Sequence, residues 1–257
     1  MKILISAGDA ITAKLIENAG FDGIWVSGFE ASARLGLADN GSITMTEMLY
    51  ISKPIVDATR LPVYVDVDTG YGNFQRTVRE FEGIGVKGLC MEDNMPKKEN
   101  SLWGGKVPLV SIDDYCKKIK SVKKRNLKIV ARTEALIRDY GMGEAVKRAK
   151  AYKKAGADFI LIHTRDKEGK QAAMIPEFCR DVKAPLVIVP TKFPHFTNKK
   201  LEDLGYSIVI WANQTERVKI KAIRKALDKI KTDDCAQGVE AKFSATLDDM
   251  KGLMPND

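Results

Sequence analysis

A chain of 257 residues is long enough to bury a large core without disulfides or metal clusters. Its formal charge of +8, from 42 Lys and Arg against 34 Asp and Glu, raises nucleic acid or an acidic membrane surface as partners. The basic residues instead gather in two expected helices, Lys117 to Lys128 and Lys219 to Lys231, the pattern of solvated helix faces, so neither nucleic acid nor membrane is expected.

No run approaches the roughly 18 apolar residues of a membrane span, and residues 1–20 form no signal-peptide core. Cys90, Cys116, Cys179 and Cys235 lack Cys-x-x-Cys spacing and read as reduced thiols of a cytoplasmic protein.

Short β-branched runs alternate with segments of helical periodicity along the chain. Strands are expected at Ile3 to Ser6, Gly23 to Ser27, Val63 to Asp68, Gly88 to Glu92, Ile129 to Thr133, Phe159 to His163, Leu186 to Val189 and Ser207 to Trp211. Thr44 with Glu47 predicts a capping box, and Gly20 and Gly156 predict left-handed helix ends. Eight such units without a Gly-x-Gly-x-x-Gly turn favour a closed (β/α)₈ TIM-type barrel over an open doubly wound sheet. The expected organisation is one α/β barrel domain, residues 1–232, with a long non-periodic loop at residues 93–110. A C-terminal helical extension over residues 233–257 follows, carrying a helix from Ser244 to Leu253 that packs on a neighbouring subunit.

Active sites of such barrels lie at the carboxyl ends of the strands. That rule selects Trp25 and Ser27, Asp66 and Asp68, Glu92, Arg132 and Glu134, His163, and Thr191 with Lys192. In Val65-Asp66-Val67-Asp68, period-two geometry puts both carboxylates on one face, roughly 6 to 7 Å apart. With Glu92 they form an oxygen-only donor set suited to Mg²⁺ or Mn²⁺ rather than Zn²⁺; ion pairs to Arg132 or Lys98 are the alternative. Arg132 offers a cationic fork to a carboxylate or phosphoryl group, or a salt bridge to Glu134 or Asp68. His163 reads as a ligand or proton carrier, or as a satisfied structural group, and His195 reads as surface. Ser27-Gly28 offers a hydroxyl and approachable amides to an anion, or is a plain turn.

These residues stand in ordered motifs: Trp25-Val26-Ser27-Gly28-Phe29, Leu35-Gly36-Leu37-Ala38-Asp39, Asp66-Val67-Asp68-Thr69-Gly70-Tyr71-Gly72-Asn73, Glu92-Asp93, Ala131-Arg132-Thr133-Glu134-Ala135, His163 and Val189-Pro190-Thr191-Lys192. Through them nearly the whole chain resembles the phosphoenolpyruvate mutase and isocitrate lyase superfamily. Within it, the loop Glu92-Asp93-Asn94-Met95-Pro96-Lys97-Lys98-Glu99-Asn100-Ser101 is similar to the mutase pattern Glu-Asp-Lys-x-x-x-Lys-x-Asn-Ser, with Asn94 standing where that pattern has lysine. Carbon–carbon lyases of the superfamily carry a cysteine where this chain has Asn100, and the hydrolase of phosphonopyruvate carries threonine there.

The resemblance implies interconversion of phosphoenolpyruvate and phosphonopyruvate. It makes Asp66 the direct Mg²⁺ ligand, with Asp68 and Glu92 reaching the ion through water. Trp25, Ser27, Gly28 and Phe29 would hold the pyruvyl part of this small-molecule substrate, and Asn100, Ser101, Arg132 and His163 the phosphoryl end. Asp39 would lie beside the migrating group, and residues 93–110 would close as a lid bringing Lys98 and Asn100 over the substrate. It also implies a homotetramer or homodimer with exchanged C-terminal helices. The alternatives are a phosphonopyruvate hydrolase, a carbon–carbon lyase or decarboxylase, and a non-catalytic barrel.

Overall fold

A computed structural model describes residues 1–96, 99–103, 105–122, 124–166 and 168–254. In chain order its elements are β1 (Lys2–Ser6), α1 (Ala10–Asn18), β2 (Gly23–Val26), α2 (Gly28–Arg34), α3 (Met45–Ala58), β3 (Val63–Asp66), α4 (Phe74–Gly83) and β4 (Gly88–Glu92). These are followed by α5 (Ile112–Ser121), β5 (Lys128–Thr133), α6 (Met142–Ala155), β6 (Phe159–Ile162), α7 (Lys170–Cys179), β7 (Leu186–Ile188), α8 (Asn198–Asp203), β8 (Tyr206–Trp211) and α9 (Gln214–Asp233). Two short helices close the chain, α10 (Gln237–Glu240) and α11 (Leu247–Gly252).

The eight strands pair in parallel in sequence order, and β8 returns to β1, closing the expected barrel. Period two then sorts each strand between two cores. Inward residues Leu4, Trp25, Tyr64, Cys90, Val130, Leu161, Val187 and Ile208 fill the barrel, while their neighbours, such as Ile24, Val65, Leu89 and Ile129, pack under the helices. Gly88 is required by this filling, since a Cβ there would meet the Tyr64 ring at 2.4 Å.

The capping box of Thr44 and Glu47 forms as expected, and Gly20 and Gly156 adopt φ of 78° and 112° behind α1 and α6. Most strand bounds fall within a residue of expectation. One difference matters for the site: β3 stops at Asp66 rather than Asp68. Asp68 sits at φ 48°, and its amide donates to Asp66 Oδ1 at 3.2 Å, so the pleat does not set its direction. The helix expected from Ser244 to Leu253 is shorter, beginning behind a Thr246 cap whose side chain accepts from Asp249 N. The cap sets this start because the Thr246 hydroxyl satisfies a first-turn amide.

Among the described residues no helix is long and apolar enough to cross a membrane. The four cysteines are free thiols.

Candidate active site

Inward positions one step above the apolar barrel filling carry the polar residues. Two residues beyond Tyr64, Cys90, Val130 and Leu161 come Asp66, Glu92, Arg132 and His163, and register pairs Glu92 with Arg132 across β4 and β5. A cavity opens above them, lined by Trp25, Ser27, Phe29, Asp39, Asp66, Asn100, Ser101, Arg132, His163, Thr191 and Lys192. Eleven sequence-selected strand-end and loop residues are thereby brought to one place. Lys98 lies outside the described residues.

Ser27 ends no strand; it caps α2, its hydroxyl accepting from Glu30 N at 3.5 Å. The first amides of α2, those of Gly28 and Phe29, stand beside the cavity, where a helix start leaves N–H groups without intrahelical partners. Gly28 also faces the carboxylates. A Cβ on it would lie 3.2 Å from Asp68 Oδ1 and 3.7 Å from Asp66 Oδ2, so room beside the pair depends on glycine. The turn after β3 thus delivers what the pleat was expected to deliver: both aspartates face the same spot.

Asp66, Asp68 and Glu92 are buried, at 6%, 4% and 1% exposure. Among the described residues no three His, Cys, Asp or Glu side chains are grouped closely enough to hold an ion by themselves. Arg132 reaches two of these carboxylates, with N···O distances of 3.4 Å to Asp66 and 3.5 Å to Glu92. The ion-pair alternative is therefore realised in part: of the two bridges offered for Arg132 the one to Glu134 forms, while Asp66 and Glu92 take the place of Asp68. The cause is register, since Arg132 is paired with Glu92 and not with the turn that carries Asp68.

Asn94, the departure from the mutase pattern, is fully buried, and its Nδ2 donates to Glu92 Oε1 at 2.9 Å. A neutral amide there holds Glu92 in place without neutralising it.

Glu134 emerges as the organising group, which strand-end position signalled but did not rank. One oxygen, Oε1, accepts from Arg132 Nε and lies 3.0 Å from His163 Nδ1; the other accepts from the Ser101 hydroxyl. Burial pushes this carboxyl up, but the charge of the Arg132 guanidinium overcomes it and holds Glu134 well below the usual carboxylate range. Burial and the nearby Arg132 cation push His163 below its ordinary value, against the opposing pull of Glu134. Its Nδ1 lies 2.8 Å from Arg132 Nη2 as well.

The loop after β4 is tied down at both ends. At its base Asp93 Oδ1 accepts from Glu134 N at 2.8 Å, and Asp93 Oδ2 accepts from Tyr152 at 2.6 Å and Arg148 at 3.0 Å. Asn94 and Leu109 pair as an isolated antiparallel bridge. At its inner edge Asn100 Nδ2 donates to Asp39 Oδ2 at 2.5 Å and Ser101 reaches Glu134, while Trp103 packs edge-on to Phe29 at 5.6 Å. Asp39 thus lies on the cavity wall. His195 is exposed, as expected, in the loop after β7.

A family model described as phosphoenolpyruvate phosphomutase matches residues 1–231. The chain belongs to that family. It is 34% identical over 254 residues to the phosphoenolpyruvate phosphomutase of Tetrahymena pyriformis, covering 95% of this chain and 84% of that one. Among solved structures, the phosphoenolpyruvate phosphomutase of Streptomyces platensis subsp. rosaceus superposes with a TM-score of 0.95 at 33% identity, over 98% of this chain and 90% of that one. A phosphonopyruvate hydrolase in complex with oxalate and Mg²⁺ superposes with a TM-score of 0.89, also at 33% identity, over 98% and 89%. Equal identity to a mutase and a hydrolase leaves the choice between them to individual residues.

Proposed function

We propose that this chain interconverts phosphoenolpyruvate and phosphonopyruvate, the transfer that makes or breaks a carbon–phosphorus bond. The observation that carries this reading is one cavity lined by Asp66, Arg132 and His163, with Asp68 and Glu92 buried beside them and with Asn100 and Ser101 on its wall, tied to Asp39 and Glu134.

An oxygen-only donor set beside a glycine suits Mg²⁺, which takes few protein ligands and keeps its waters, and Mn²⁺ is the natural substitute. Asp66 would be the direct ligand, with Asp68 and Glu92 reaching it through water, in keeping with carboxylates that converge without forming a three-ligand cage. When bound, the ion supplies positive charge against the enolate of the pyruvyl group. Ser27 and the Gly28 and Phe29 amides orient that group, and Trp25 walls it.

Arg132 presents its fork to the phosphoryl oxygens. His163 adds a second donor because of a constraint at Nδ1: that atom cannot accept from Arg132 and donate to Glu134 at once. With Arg132 donating to Nδ1, the neutral ring keeps its proton on Nε2, the tautomer that can grip a phosphoryl oxygen. Loose phosphoryl transfer needs such positioning and charge more than covalent help. Asn100 and Asp39 stand at the migrating group, and the closed loop keeps water away. Lys98, near Asn100 in sequence, is assigned to the same end of the substrate.

Phosphorus NMR of phosphonopyruvate with Mg²⁺ tests the reaction. The phosphonate resonance should convert to that of a phosphate ester; inorganic phosphate with pyruvate would make the chain a hydrolase. The hydrolase reading is the one specific rival, favoured by the match to the oxalate-bound structure, and Asn100 argues against it.

We further read the chain as a cytoplasmic homodimer or homotetramer joined through its C-terminal helices. Ile220, Ile223 and Leu227, which share one face of α9, are 43%, 56% and 61% exposed, an apolar row that a second copy would cover. Light scattering giving a monomer mass at micromolar concentration would refute that assembly.

A further inference from the structure

Arg138 is the largest fully buried side chain among the described residues, with no exposed area. It lies one helical turn after Glu134 and does not line the cavity. Burying a guanidinium is costly unless its donors are used. Two of them are spent on backbone of the loop after β4: Nη1 donates to Gly105 O at 3.0 Å, and Nη2 donates to Glu99 O. Nε lies 4.0 Å from Glu134 Oε2, the oxygen that receives the Ser101 hydroxyl.

These two carbonyls flank Asn100 and Ser101. One cation therefore grips the loop on either side of the residues that meet the substrate, and sets its charge 4.0 Å from the carboxylate that orients Arg132, without a hydrogen bond to it. We propose that Arg138 is a positioning residue that fastens the loop over the cavity and thereby decides whether the phosphoryl group is kept or lost to water. The proposal rests on the phosphoryl-transfer reading above.

The two fates differ in the acceptor. In retention the carbon–phosphorus bond breaks, the electron pair passes into the enolate, and the enolate oxygen bonds phosphorus with no other reactant. In loss a water oxygen bonds phosphorus instead, its proton goes to the methylene carbon, and pyruvate and inorganic phosphate leave. A loosened loop admits that water without altering the groups that hold phosphorus.

The test uses Arg138→Ala and Arg138→Lys in the full chain, with two measurements. Hydrogen–deuterium exchange without ligand should show the amides of residues 99–103 exchanging roughly tenfold or more faster in Arg138→Ala, since two charge-assisted hydrogen bonds are gone. Phosphorus NMR with phosphonopyruvate and Mg²⁺ should show the ratio of inorganic phosphate to phosphoenolpyruvate rising several-fold. Arg138→Lys, able to reach one carbonyl, should fall between. A folded Arg138→Ala variant with either the exchange or the product ratio unchanged would overturn the proposal, as would loss of the native fold in both variants. Wild-type protein that makes no phosphoenolpyruvate would refute the reaction, while the exchange comparison would still decide the latch.

Discussion

Asn100 Nδ2 donates to Asp39 Oδ2 across 2.5 Å, joining the loop after β4 to the segment after α2 on the wall of one cavity. The same side chain turns its Oδ1 back to accept from Leu102 N at 2.9 Å, so it shapes the loop as well as spanning the gap.

Removing it should therefore act on catalysis more than on folding. Asn100→Ala is expected to lower kcat/KM roughly 10- to 100-fold, because the lost contacts are made only with the loop closed. The melting temperature should move by no more than about 2 °C, the contact being only part-buried. Wild-type kcat/KM in this variant would take Asn100 out of the reaction.

Gly28 offers a sharper test of the carboxylate pair. It is the first residue of α2 and has no positive φ, so alanine fits its backbone. The added methyl would press on Asp68 Oδ1 at 3.2 Å. Gly28→Ala should fold with a near-normal melting temperature yet need on the order of tenfold more Mg²⁺ for half-maximal activity, the size of the effect on metal affinity when groups around a metal's ligands are displaced. An unchanged Mg²⁺ titration would mean that the ion is held elsewhere.

Glu30 gives a pH dependence apart from the catalytic groups. Burial pushes its carboxyl up to about 7, against the downward pull of the Ser6 hydroxyl that donates at 2.7 Å. The unfolded chain releases that proton near 4.5, so between about 4.5 and about 7 the folded state holds more protons. The associated stability is present in full below about 4.5 and is lost as pH rises through about 7, on the order of 3 kcal/mol. Glu30→Gln keeps an acceptor for Ser6 and cannot ionise, so melting temperature should vary less with pH across that window. Parallel pH profiles for variant and wild type would show that Glu30 does not set the slope.

The barrel was legible because each strand announces itself by β-branched residues and each helix by its caps. Asp66, Glu92, Arg132 and His163 were legible for a related reason: a two-residue repeat carries the barrel-filling face up to its polar rim. Asp68 reached the site by another route, through a left-handed turn that no alternation foretells. Glu30, Glu134 and Arg138 draw their weight from partners distant in sequence, Ser6, Ser101 and Gly105 among them, and local pattern cannot reveal such contacts. Asn94 read as a missing lysine; only packing shows it holding Glu92.

Arg132 has one more consequence. In the free protein its guanidinium already serves Glu134, Asp66 and Glu92, so an incoming phosphoryl group meets a fork that is engaged. Binding here is an exchange of one anion for another. If Asp66 is the metal's direct ligand, as proposed above, a bound cation would compete with Arg132 for its carboxylate and free one arm of the fork. The expected order of arrival is therefore metal before substrate, and initial-rate patterns showing that either can add first would contradict it.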